Sequence, residues 1–154
     1  MHARQQLRKA VVVLLHRASP LWSTVCDSRL PTRRVVGDFL MVFSDGEASR
    51  NEGDDWAPAQ VRAANVAVIG RLGLPGNSDT ASVEDKMDAV AEAIETAITF
   101  AALQTVIPEL KSLALGSTEM NVIIDETDQP MHAEISLNFV AEYATQEGAP
   151  SLFI

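Results

Sequence analysis

"PMHAEISLNFVAEYA", residues 130–144, alternates along its length. Met131, Ala133, Ile135, Leu137, Phe139, Ala141 and Tyr143 share one side, and His132, Glu134, Ser136, Asn138 and Glu142 share the other. Neighbouring side chains of a strand point to opposite faces, so the pattern predicts a half-buried strand in an antiparallel sheet, one face on a core and one in water. Just upstream, "ETDQ" (126–129) reads as a turn that joins it in a hairpin to "ELKSLALGSTEMNVIIDE" (109–126), a strand-like passage interrupted at Gly116.

Moving further back, "SVEDKMDAVAEAIETAITFAAL" (82–103) is helical in period: Val83, Met87, Val90, Ile94, Ile98 and Ala101 make an apolar stripe. Ser82 and Asp85 have the form of a capping box at its start, and Glu84, Asp85, Asp88, Glu92 and Glu95 lie off the stripe. The breaker cluster "GLPGNSDT" (73–80) precedes it. Before that come two strand-like stretches, "RVVGDFLMVF" (34–43) and "AQVRAANVAVIGRL" (59–72), with Gly37 and Asp38 marking a bulge or close approach in the first. Between them runs "SDGEASRNEGDDW" (44–56), with five carboxylates against one arginine; the stretch 44–58 reads as an acidic loop projecting beyond the sheet.

An N-terminal helix occupies residues 1–17. Leu7, Val11, Leu14 and Leu15 form its stripe, Val12 and Val13 widen it, and Ser19–Pro20 ends it. Its apolar core "AVVVLL" is short and followed by Arg17, which reads as a helix of the domain and not as a leader. Residues 145–154 read as a C-terminal tail. The order predicts a single domain over 1–154 of α+β class: a mixed, mainly antiparallel four- to five-stranded sheet with two helices packed on one face. At 154 residues the chain can bury a real core, and its 47% apolar and 21% charged composition is that of a globular domain.

The net charge of −9 is unevenly spread. Residues 1–34 hold seven Arg or Lys and one acid, about +6, whereas the remainder holds five basic and twenty acidic residues, about −15. So acidic a body argues against gripping phosphates, which requires cationic surface. A chain with a positive part and a negative part suits head-to-tail contact with copies of itself. No apolar run approaches the ~20 residues of a membrane span.

Reactive constellations are sparse. "GRLGLPG" (70–76) lacks the lysine and the spacing of a phosphate loop. His2, His16 and His132 are scattered, and Cys26 is alone, a poor supply of zinc ligands and a thiol with no partner for a disulfide. The carboxylates of 44–56 could gather a hard divalent cation, but their spacing does not match a calcium loop, and the helical acids at 84–95 read as a solvated face. No cofactor and no metal site is expected. Trp56 reads as an anchor for the base of the loop.

The succession of "ARQQLRKAVVVLL", a strand, an acidic loop ending "GDDW", a further strand, a long amphipathic helix and "AEISLNFVAEY" resembles the tail terminator proteins of lambda-type long-tailed bacteriophages, also called minor tail protein U. The resemblance runs to about Tyr143. It implies a mixed α/β fold, assembly into a hexameric ring in the host cytoplasm, and a place at the head-proximal end of the virion tail. It also implies partners: the tail tube protein, a head–tail connector or neck protein, and DNA that passes through the lumen without specific binding. No reaction and no membrane is involved. On this reading Asp45, Glu47, Glu52, Asp54 and Asp55 are candidates for contacts with a subunit or the tube. Arg29, Arg33 and Arg34 are candidates for the complementary basic side. Another neck or tail-completion ring protein is the nearest alternative, and a small divalent-metal-dependent enzyme the more distant one.

Overall fold

The computed structural model describes residues 1–18, 20–29, 37–52, 59–74, 79–124 and 130–154. The element order is α1 (Ala3–Ala18), β1 (Thr24–Cys26), β2 (Phe39–Glu52), β3 (Ala59–Gly73), α2 (Thr80–Ala97), α3 (Phe100–Gln104), β4 (Leu110–Ile124), β5 (Pro130–Gln146) and β6 (Ala149–Phe153). The fold is α+β. The strands form one sheet in the order β1-β2-β3-β5-β4, with β6 paired to β5; only the β1–β2 pairing is parallel. Three elements exceed the expectation, the short strands β1 and β6 and the one-turn helix α3.

The alternation of 130–144 is realised in full where side chains are described. Ala133, Ile135, Leu137, Phe139, Ala141 and Tyr143 are buried under the helices, while His132, Glu134, Ser136, Asn138 and Glu142 remain partly exposed on the outer face. β5 is an interior strand, held by β3 on one side and β4 on the other. The expected interruption at Gly116 is a register shift between Leu115 and Ser117, where the glycine lies 3.3 Å (by its would-be Cβ) from the Asn138 carbonyl. The 126–129 turn lies outside the described residues.

α1 buries Ala3, Leu7, Ala10, Val11 and Leu15. Val13 does not widen the stripe but is exposed, because its position on the helix points away from the sheet. Trp22 covers the end of α1, its indole N–H donating to the Leu15 carbonyl at 3.2 Å. Ser23 then donates its backbone N–H to the Asp38 carbonyl at 2.8 Å, setting β1 beside β2.

The acidic stretch is corrected by the structure. Residues 44–52 are not loop but the outer half of β2, paired rung by rung with β3 as far as Glu52↔Ala59. Cross-strand pairing overrides the weak strand propensity of Asp, Glu, Gly and Asn. A bulge between Ser44 and Glu47, with Gly46 at φ +106°, absorbs the extra residue. Residues 53–58, with Trp56, lie outside the described residues. So do residues 34–36, where a strand was expected to begin; it begins at Phe39. Further along β3, Gly70 is needed for packing: a Cβ there would stand 2.9 Å from Ile135 Cγ1 and 3.1 Å from Leu40 Cδ2.

The long helix is also corrected. Its cap is Asp79, whose Oδ1 accepts from the Ser82 N–H at 2.7 Å, and not the Ser82–Asp85 box. It stops at Ala97, because Thr99 takes an extended backbone and its hydroxyl accepts from the Ala102 N–H at 3.1 Å, starting α3. Val83, Met87, Val90, Ile94 and Ile98 are buried as the periodicity predicts, but Ala101, beyond the break, is exposed. The stretch read as a C-terminal tail from 145 instead completes β5 and returns as β6 after Gly148 (φ +71°), and Phe153 meets Tyr143 edge-on with ring centroids 5.3 Å apart.

Candidate functional site

Two candidates assigned to opposite sides of an intersubunit contact meet within one chain. Arg29 donates from Nη2 to Asp45 Oδ1 at 2.9 Å and to the Ser44 carbonyl at 3.2 Å, and its guanidinium lies 4.5 Å from the Phe43 ring centroid. Both charged groups stay more than half exposed, so the pair remains open to a partner.

Glu47 has a different place from the one the sequence suggested. The bulge turns it inward, where its carboxylate accepts from Arg62 Nη1 and, at 2.6 Å, from the Tyr143 hydroxyl. Arg62 also donates to Thr145 Oγ1 at 2.9 Å and Gln60 Oε1 at 2.7 Å. This network joins β2, β3 and β5, and its two charges are nearly covered. Burial, and then the bond to Glu47, pushes the Tyr143 hydroxyl far above its ordinary value. Glu47 is therefore an interior strut. Glu52 pairs with Arg50 at 3.1 Å on the exposed arm, and Arg50 also approaches Glu142 at 3.6 Å. Asp54, Asp55, Arg33 and Arg34 lie outside the described residues.

Asp38, read from the sequence only as marking a bulge or close approach with Gly37, is a tie between elements. Its Oδ1 accepts from the Gly73 N–H at 2.7 Å, and its Oδ2 pairs with Lys86 Nζ at 2.8 Å, tying the start of β2 to the end of β3 and to α2. Its only sequence signal was the Gly-Asp pair before an apolar run.

A concavity of about 710 Å³ opens beside the start of α1, lined by His2, Arg4, Gln5, Arg8, Arg29 and Phe43 among others. That is the size of a small-ligand cleft. Yet Arg8 already holds Asp27 and Arg29 holds Asp45, leaving Arg4 as the lining cation with no ion pair to a described residue. Partial burial holds the His2 imidazole below its usual value, against the pull of Glu47. Burial raises the nearby Cys26 thiol, which makes it a poor nucleophile. Among the described residues, no three His, Cys, Asp or Glu converge as a metal-ligand set, and no helix is long and apolar enough to cross a membrane.

On the other side of the helical layer, Asp88, Glu92 and Glu95 of α2 line a groove with Thr118 and Met120 of β4. None of these three acids has an ion pair to a described residue. Their spacing, i, i+4 and i+7, puts them on one flank of α2, while Ala89, Ala93 and Ala97 at i, i+4 and i+8 line a second groove with Ala18 and Leu21 at the end of α1.

No protein-family profile matches the chain, and no curated protein matches it. Among solved structures it is similar to a chain of the "Virion of native gene transfer agent (GTA) particle". The two share 18% identity over 94% of this chain and 92% of that one, with a TM-score of 0.45. Similarity at that level carries no inference about the role of this chain.

Proposed function

We propose that this chain is a structural virion protein. Copies of it form a ring, six to a turn, that caps the head-proximal end of a phage tail tube, ends its polymerisation and offers the surface to which the head is joined. Its partners are its own copies, the tube protein and a neck protein, and DNA passes through the lumen without specific binding.

The observation that carries this reading is where the charged groups sit. Glu47, Asp38 and Asp79 are spent as internal struts and a helix cap, Asp27 is held by Arg8, and most of the other described carboxylates are spread over the β2–β3 arm, the outer sheet face and the α2 flank. A molecule built to present surfaces distributes charge in that way, whereas acid–base or metal chemistry gathers it around one reacting atom. The resemblance of the element order to tail terminators supports the same reading, and the acidic arm is the natural element to meet the tube.

Capping is then steric and cooperative. One face of the ring copies the docking surface of a tube subunit, the other lacks what a further tube ring would need, and many shallow contacts around the ring add through avidity. Reversing Asp54 and Asp55 to lysine is expected to leave the fold intact and to yield tails of uncontrolled length in electron micrographs. Tails of normal length from that variant would remove the arm from the mechanism.

A further inference from the structure

We propose that the groove between α2 and β4 is the docking surface for a second copy of this chain, which presents to it the opposite flank, the N-terminal half of α1 with the segment around Arg29. This rests on the ring reading above and names the seam by which the ring would close.

The placement of the two flanks follows from topology. The order β1-β2-β3-β5-β4 puts β1 and β2 at one edge of the sheet and β4 at the other. α1 contributes Arg4 and Arg8 to the concavity beside β2, and Arg8 reaches across to Asp27 just after β1. α2 contributes Asp88, Glu92 and Glu95 to the groove beside β4. Where the two helices approach each other, the intervening groove is lined by four alanines with Leu21, Glu92 and Thr96, and no ion pair joins the helices among the described residues. Arg4 and Arg8 thus line a concavity beside β2, and Asp88, Glu92 and Glu95 a separate groove beside β4.

Each flank lacks what the other supplies. Asp88, Glu92 and Glu95 are three neighbouring like charges with no described cation, an arrangement that is destabilising until a counter-charge arrives. Arg4 is exposed and has no described acid. Beside the acids, β4 pairs among the described residues only with β5, which leaves its other backbone edge without a described strand partner. Along Leu110–Ile124 that strand carries only Lys111 and Glu119 as charges, and exposes Leu115 (40%), Ile123 (38%) and Ile124 (56%). A long edge with so few charges is competent to receive another chain. Because the two surfaces differ, one contact repeats from copy to copy, which is the heterologous interface a ring requires.

The test is charge reversal and exchange, read by sedimentation of the full chain at low and moderate salt, with circular dichroism to verify folding. The substituted side chains are exposed, so the fold is expected to survive. Glu92→Lys with Glu95→Lys, and separately Arg4→Glu, should each weaken self-association by about tenfold or more, since like charges then meet across the seam. Combining all three should restore most of it, and added salt should weaken the wild-type assembly. A wild-type chain that stays monomeric at high concentration, or folded flank variants that assemble as well as wild type, would overturn the seam. Flank variants that still assemble and still cap tubes would do so while leaving the terminator role standing. A wild-type ring indifferent to tube ends would remove the role and leave the seam.

Discussion

Glu47 shows how one side chain can be misplaced by sequence alone. It stands among acids, in a stretch that looks like solvent-exposed loop, yet the bulge at Gly46 sends it under the sheet to Arg62 and Tyr143. Nothing in the local composition signals a bulge whose partner strand begins a dozen residues later. Removing the carboxylate would strand a covered guanidinium, so Glu47→Ala is expected to cost about 3–5 kcal/mol in chemical denaturation. An exposed interface residue would cost almost nothing. Tyr143 carries a pH signature. Its hydroxyl is raised above the ordinary value of about 10 by burial and then by Glu47, so the folded chain holds that proton more tightly than the unfolded chain. Its contribution is therefore complete below about pH 10 and is lost as pH rises beyond that value. Tyr143→Phe should lower stability near neutrality and flatten the alkaline decline in thermal melts. An unchanged alkaline slope would contradict the assignment.

At the scale of elements, the apolar periodicities were legible and the boundaries set by polar side chains were not. The stripe of α2 and the alternation of β5 could be read directly, because burial imposes a period of 3.6 or 2 on the sequence. The cap at Asp79 was missed in favour of Ser82, since both residues fit the same sequence signature and only geometry chooses between them. The break before α3 was missed because Thr99 looks like a tolerable helix residue until its hydroxyl caps the next turn. The outer half of β2 was missed because its strand character comes from β3 and not from its own residues. Asp79 is held below its usual value by the Ser82 N–H, so its contribution to α2 is present near neutrality and fades as pH falls below about 4. Asp79→Ala should lower the melting temperature at pH 7 and make it less sensitive to acid. Asp79→Asn should keep the cap while losing that sensitivity.

For the whole molecule, the class of fold and the charge asymmetry along the chain could be read from the sequence. Where the charges stand in space could not. Arg4 and Arg8 of α1 line a concavity with residues of β2, while Asp88, Glu92 and Glu95 of α2 line a groove with residues of β4, a separation that only the fold creates. Part of the charge anticipated for contact is consumed within the chain, as Arg29 with Asp45 and Arg62 with Glu47. What remains outward-facing is a polar sheet face, the β2–β3 arm, an acidic flank on α2 and the exposed Arg4, the features on which the proposed assembly rests. The most direct test is the mass of the purified protein with and without isolated tail tubes. Six copies in a ring, bound at one end of each tube, is the predicted result. A chain that remains single at high concentration, ignores tube ends and converts a small molecule would contradict it.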